Sequence, residues 1–364
     1  MGHILPLVPT AQAALAAGHQ VLFVTTGPHA DILRRRGVQT EDAAPHADVS
    51  ARFHRLNQET NRPGITAEEV LSAATAAWAE IGDLMLGGLL RAIQRWRADV
   101  VVYEPYHVAG LAAARLTGVR AVLHGTGLPM GTFRRALEKM VRPREHYGAA
   151  EVSGTPDAVV NVCPSSMTSP DRNRGWPMRY VPADVGAVAP GWENTPPSMP
   201  RICVTFGSVL PGMAEHVVRA TVEGLRELEA EILVSAGGAA LDGWGPLPAN
   251  VRMARWLPMV DVLPSCAAVI HHGGSGTMFG ALAAGVPQVV LPLGADQPTN
   301  AEAVARRGVG LALDTAADGM QTVGEAVRQV LADPSYGRAA RDVARENCAR
   351  PAPSAVIRQI ARLT

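Results

Sequence analysis

The sequence predicts an α/β protein built from two doubly wound domains, and three observations predict it. Short Val-rich runs alternate with small-residue helical stretches, the pattern of a parallel sheet covered on both faces. At 364 residues the chain is long for one core and comfortable for two. Periodicity breaks down over residues 173–200, where Pro177, Pro182, Pro190, Pro196, Pro197 and Pro200 read as extended linker. An N-terminal domain over 1–180, a linker over 181–200, a second domain over 201–345 and a terminal helical segment over 346–364 follow.

Each element has a local reason. Residues 7–17 read as a helix stopped by Gly18, residues 20–25 as a strand, and a second helix runs through Arg36 to Gly37. Thr66 and Glu69 form a capping box that opens a long helix ending near Trp96. Residues 98–103 and 119–124 are buried strands flanking a helix over 108–116. In the second domain the strands fall at 202–206, 232–235, 251–255, 267–270 and 288–291, with a helix between the first two running through Glu229. The terminal helix over 336–364 is broken at Pro351 and Pro353.

The run from Val269 to Asn300 carries the chemistry. A strand enters a Gly273-Gly274-Ser275-Gly276 turn and a helix opens at Thr277, so free backbone N–H groups and the positive end of a helix converge on one spot. Such a spot suits a phosphate, and His272 adds a hydrogen bond or a charge. The helix ends at Gly285-Val286-Pro287, a strand follows, and Asp296 and Gln297 lie beyond its carboxyl end, placed to meet sugar hydroxyls. His271, the preceding residue, points to the opposite side by strand alternation and reads as structural.

With its His before the glycine turn, Gly-Val-Pro step, Asp-Gln pair and Asn300, this run resembles the donor-binding signature of family 1 glycosyltransferases, including the bacterial enzymes that decorate antibiotics. The resemblance extends to Gly2-His3-x-x-Pro6, to Thr205-Phe206-Gly207-Ser208 and to Arg350-Pro351-x-Pro353. It implies a GT-B fold, two Rossmann-like doubly wound domains facing across a cleft, with the terminal helix packing back on the N-terminal domain. It further implies an inverting, metal-independent transfer of a deoxysugar from a nucleotide diphosphate-sugar to a small hydrophobic acceptor such as a polyketide or macrolide aglycone. Gly280 stands three residues beyond Thr277, where the family often carries a ribose-binding Glu, which favours a dTDP-sugar over a UDP-sugar.

Residue roles follow from the same resemblance. His3 matches the catalytic base, since imidazole titrates nearest neutrality, and Glu104 stands where the family places an Asp partner. Glu104 reads equally as a surface carboxylate. His107 and His124, also at sheet mouths, are alternative bases or acceptor contacts, joined by Leu128 and Met130; Leu56, Trp78, Met85 and Phe133 complete the candidate apolar lining. Trp256 resembles the tryptophan that stacks on the nucleobase and the Leu257 backbone pairs with the base edge. Ser208, His272, Gly273, Gly274, Ser275, Gly276 and Thr277 surround the diphosphate. The family also places a first strand before Gly2-His3, and its absence here leads to the expectation that residues preceding Met1 are missing from the sequence.

Composition excludes several classes. Thirty-three basic residues balance 33 acidic ones, Lys139 being the only lysine, and no basic block marks a nucleic-acid or membrane partner. Cys163, Cys203, Cys266 and Cys348 show neither disulfide nor metal spacing, which fits buried thiols in the cytoplasm; no cofactor and no metal are expected. Small-molecule donor and acceptor are the expected partners, and a homodimer is left open. Two rival readings remain: a nucleotide-sugar epimerase of the same fold, and a non-catalytic auxiliary partner of a glycosyltransferase.

Overall fold

The computed structural model describes residues 2–27, 29–34, 37–60, 62, 64–129, 134–141, 154–183, 197–207, 211–237, 247–314 and 322–364. Most of the linker expected over 181–200 lies outside the described residues. The chain divides into two compact units, one of Met1–Pro6, Pro164–Ser169 and Tyr180–Arg350, the other of Leu7–Cys163, Pro170–Arg179 and Pro351–Thr364.

In the second of these units, α1 (Val8–Ala16) leads to β1 (Leu22–Thr25), α2 (His29–Arg34), β2 (Gln39–Asp42) and α3 (Val49–Thr60). The 30-residue α4 (Ala67–Trp96) begins at a complete capping box, in which Thr66 Oγ accepts the Glu69 N–H and the Glu69 carboxylate accepts the Thr66 N–H at 2.8 Å. Then come β3 (Val100–Tyr103), α5 (Ala109–Thr117), β4 (Arg120–His124), α6 (Arg134–Lys139), β5 (Ala158–Asn161) and β6 (Trp176–Pro177). Trp78, Ile81, Met85, Leu86 and Ile93 of α4 pack with Leu111 and Ala112 of α5 into one core. Among the described residues the strands form two separate parallel sheets, β1–β2 and β3–β4–β5–β6, and Met1 lies outside those residues.

The other unit holds a six-stranded parallel sheet. Its elements are β7 (Arg201–Thr205), α7 (Pro211–Leu225), β8 (Glu231–Ser235), β9 (Val251–Ala254), α8 (Met259–Val262), β10 (Ala268–His271), α9 (Ser275–Ala284), β11 (Gln288–Val290), α10 (Gln297–Arg307), β12 (Gly310–Ala312), α11 (Thr322–Ala332) and α12 (Pro334–Ala349). The strand order β12–β11–β10–β7–β8–β9 is the dinucleotide-fold order, first and fourth strands adjacent at the centre. Every residue of β7 is buried: Ile202 and Val204 pack into the core on one face, Cys203 into that on the other.

After Ala349 the chain leaves helix at Arg350, whose extended conformation is the one a residue before proline prefers. Pro353 then occupies the first turn of α13 (Pro353–Ile360), where its missing N–H costs nothing. This last helix belongs to the unit of α1, burying Val356, Ile357 and Ile360, and the Pro351 carbonyl accepts the Arg179 N–H at 2.8 Å. No helix is long and apolar enough to cross a membrane among the described residues.

Candidate active site

Strand order fixes where a ligand can go. The direction of winding reverses between β7 and β10, and in such sheets ligands bind outside the carboxyl ends at that point. Phe206-Gly207 leaves β7 there and His272-Gly273-Gly274 leaves β10 beside it.

His272 is 5% exposed and its ring is wedged between two glycines. A Cβ on Gly274 would stand 2.5 Å from Nε2, and one on Gly207 2.9 Å from Cε1, so only glycine leaves the imidazole room. Burial pushes its pKa down to about 4, against the opposing pull of the Asp296 charge and a hydrogen bond with the Thr205 backbone. The ring is neutral at pH 7, and its Nδ1 finds no partner among the described residues.

The adjoining helix is equally unfinished. α9 starts at Ser275, two residues earlier than the sequence predicts, because Gly274 itself takes the extended N-cap conformation with no side chain to cap the turn. The Met278 N–H is bonded to the Gly274 carbonyl, which leaves the N–H groups of Ser275, Gly276 and Thr277 without an intrahelical acceptor. A Cβ on Gly276 would meet nothing within 4 Å, so the end of this helix is open. N–H groups without an intrahelical acceptor and the positive end of a helix suit an anion, and beside them lies a buried imidazole nitrogen with no partner among the described residues.

Asp296 is tied to that turn rather than standing free. Its Oδ2 accepts from Ser275 Oγ at 2.9 Å and from Asn300 Nδ2 at 3.1 Å, and the same Asn300 nitrogen lies 2.8 Å from the Gly273 carbonyl. The Ser275 hydroxyl hydrogen is thereby committed to Asp296, which leaves Ser275 its backbone N–H for a ligand. Gln297, paired with Asp296 in the sequence reading as a sugar contact, turns back into its own loop: it is 5% exposed and its Oε1 accepts the Leu293 N–H at 2.7 Å. Ala295 adopts a left-handed φ of 54° just before Asp296, so this bend carries backbone strain. Asn300 stands in the sequence motif with no assigned role; an amide four residues, one helical turn, beyond an Asp is the local signal for this bond.

Beyond β9, Trp256 is 38% exposed while Leu257 is buried, so the indole offers a face and Leu257 anchors the segment. Gly280 lies buried in α9, where a Cβ would touch Leu263 at an ordinary 3.5 Å. Ser208, Met130 and Phe133 lie outside the described residues.

In the other unit, Glu104 follows β3 and is 4% exposed. Its Oε1 lies 3.7 Å from Nε2 of His107, whose ring meets Trp78 edge-on at 5.2 Å. His3 belongs to the unit of the glycine turn and Glu104 to the one with His107. His124 requires a correction. It is fully buried, its Nδ1 donates to the Gly125 carbonyl at 2.8 Å and its Nε2 accepts from the Thr10 hydroxyl at 2.8 Å. Burial pushes its pKa down to about 4, and with both nitrogens engaged it is a core residue, neither base nor acceptor contact. Met85 and Trp78 also belong to the core, while Leu56 and Leu128 are half-buried. Among the described residues no group of three or more His, Cys, Asp and Glu could hold a metal ion.

Parallel α/β units with an anion turn at a switch point, followed by a carboxylate, define a nucleotide-sugar-dependent glycosyltransferase of the GT-B class. The chain belongs to the erythromycin biosynthesis protein CIII-like family, whose N-terminal domain matches residues 8–207 and whose C-terminal domain matches residues 219–363. It is 32% identical over 369 residues to the L-demethylnoviosyl transferase of Streptomyces niveus, covering 99% of this chain and 95% of that protein. The glycosyltransferase SnogD from Streptomyces nogalater superposes with a TM-score of 0.83 at 31% identity, over 100% of this chain and 96% of that one. Two structures of the spinosyn rhamnosyltransferase SpnG, one complexed with thymidine diphosphate and one with spinosyn aglycone, superpose with TM-scores of 0.83 and 0.84. Both are 26% identical and cover 99% of this chain and 97% of SpnG.

Proposed function

We propose that this glycosyltransferase moves a deoxysugar from a dTDP-sugar to a polyketide-type aglycone with inversion at the anomeric carbon and without a metal ion. The observation that carries the donor side is the open N-terminus of α9 beside the buried, neutral His272 with its unfilled Nδ1. A diphosphate there accepts the N–H groups of Ser275, Gly276 and Thr277, and His272 donates to the charge that grows on the leaving group. Asp296, oriented by Ser275 and Asn300, accepts from a sugar hydroxyl. Trp256 stacks on the base, and Leu257 presents its backbone to the base edge. Gly280 supplies no carboxylate for a ribose hydroxyl, which together with the thymidine diphosphate of the SpnG complex supports dTDP over UDP. Cys163 and Cys203 are buried, whereas Cys266 is half-buried and Cys348 exposed, and cysteines outside any disulfide fit an enzyme of the cytoplasm.

In this reading His3 removes the acceptor's proton as the acceptor oxygen attacks from the face opposite the diphosphate, and Glu104 supports the charge that develops. The Glu104–His107 pair favours a second assignment of the base, with His107 taking the proton and Glu104 holding its ring. Incubation with dTDP- and UDP-sugars and a panel of polyketide aglycones tests the function. Acceptor-dependent release of dTDP is the expected result; acceptor-independent conversion of the sugar, or release only from UDP-sugars, overturns it.

A further inference from the structure

Gly273 is held at both of its peptide groups. Its carbonyl accepts from Asn300 Nδ2, and its N–H donates to His271 Nδ1 at 3.0 Å, while its φ of 88° is one that glycine adopts readily. His271 is fully buried at the end of β10, and its Nε2 lies 2.8 Å from Oε1 of Gln288 on the neighbouring β11. The direction of both bonds follows from chemistry. A backbone N–H can only donate, so Nδ1 is the bare nitrogen, Nε2 carries the proton, and the amide oxygen of Gln288 accepts it.

Two details separate this arrangement from ordinary packing. Gln288 is fully buried and its Nε2 finds no partner among the described residues, a cost that an apolar residue at this position would avoid. Burial and the neighbouring His272 push the His271 pKa down to about 3, with the Gln288 hydrogen bond opposing, so the ring stays neutral and Nδ1 stays bare. Among the described residues His272 is the titratable group acting on this ring, and the strand partners at its level, Thr205 and Val290, carry no charge.

We propose that His271 and Gln288 are positioning residues for donor binding: Gln288 holds the His271 imidazole in its Nε2–H tautomer, and the bare Nδ1 holds the Gly273 N–H and so the shape of the turn that receives the diphosphate. The proposal rests on the donor-site reading above. With an uncharged amide at 288, burial keeps the ring neutral and the turn in this shape. A carboxylate in its place favours the imidazolium, whose Nδ1–H then meets the Gly273 N–H donor to donor, and the turn opens as pH falls.

Calorimetric titration of dTDP into the wild type, Gln288→Glu and Gln288→Met from about pH 8 to about pH 5.5 tests this. Gln288→Met is expected to weaken dTDP binding about tenfold at every pH, the factor one hydrogen bond carries. Gln288→Glu is expected to lose affinity more steeply than the wild type as pH falls, beyond the change that protonation of the dTDP terminal phosphate at about pH 6 gives both. Affinity within twofold for Gln288→Met, or a wild-type pH profile for Gln288→Glu, overturns the proposal. Should either variant fail to fold, ¹⁵N NMR of histidine-labelled wild-type protein decides: a bare Nδ1 with protonated Nε2 on His271 is expected, and the reverse tautomer overturns it. A wild type that binds no dTDP sinks the donor-site reading instead, and the tautomer remains readable without a ligand.

Discussion

Asn300 Nδ2 lies 3.1 Å from Asp296 Oδ2, one helical turn away at the start of α10, and the same nitrogen reaches the Gly273 carbonyl. One buried amide therefore ties the glycine turn before α9 to the carboxylate proposed to meet the sugar. Replacing Asn300 with Leu leaves the Gly273 carbonyl without this donor and Asp296 Oδ2 with the Ser275 hydroxyl alone, a cost of about 2 kcal/mol in stability. A larger rise is expected in KM for the nucleotide-sugar than in the dissociation constant of free dTDP, because Asp296, the proposed sugar contact, loses one of its two donors. Steady-state kinetics set against calorimetry check it, and equal changes in both would count against the linkage.

Gly274→Ala places a methyl group 2.5 Å from His272 Nε2, closer than any real Cβ contact. The imidazole must move, and the expected result is a loss of about 1–3 kcal/mol in stability with at least tenfold weaker dTDP binding. The control is Gly276→Ala, whose methyl would enter open space. Comparable stability losses in both variants would show that His272 is not wedged as described.

Three buried histidines make the fold sensitive to acid. In the unfolded chain each ring titrates near 6.5, whereas burial holds His124 and His272 near 4 and His271 near 3. Between those values the unfolded chain binds more protons, so stability is full above about pH 6.5 and falls as pH drops, by a few kcal/mol per ring once pH reaches about 4. Urea unfolding from about pH 7.5 to pH 4.5 measures this slope. His124→Asn should be less stable at neutral pH yet show a shallower acid slope; an unchanged slope would remove His124 from the explanation.

Assignment of the base is decided by a pair of variants. His3→Ala should lower kcat by about 10²- to 10⁴-fold on an O-linked acceptor, the span a general base contributes, with dTDP affinity unchanged. His107→Ala should keep kcat within a few-fold. The reverse ranking would move the base to the Glu104–His107 pair.

How much of this was legible in sequence depended on distance along the chain. The donor run was readable because its strand, turn, helix and carboxylate are contiguous, and the capping box at Thr66 and Glu69 because it spans a single turn. β2, with sequence QTED, has no apolar run to announce a strand; it exists because it pairs in register with β1. The burial of His124 depends on Thr10, 114 residues away, and no local pattern records that bond. The turn-like letters Ser275 and Gly276 disguised the first turn of α9, since its N-cap is a bare glycine. Strand alternation sets His271 and His272 on opposite sides, but only the fold reveals that His271 Nδ1 reaches forward to the Gly273 N–H.

The donor site at the open end of α9 is tested most directly by calorimetric titration of dTDP and UDP into the wild type and His272→Ala. The wild type is expected to bind dTDP more tightly than UDP, and His272→Ala to weaken dTDP binding at least tenfold while remaining folded at the titration temperature. Undiminished dTDP binding by His272→Ala, or tighter binding of UDP than of dTDP by the wild type, would contradict it.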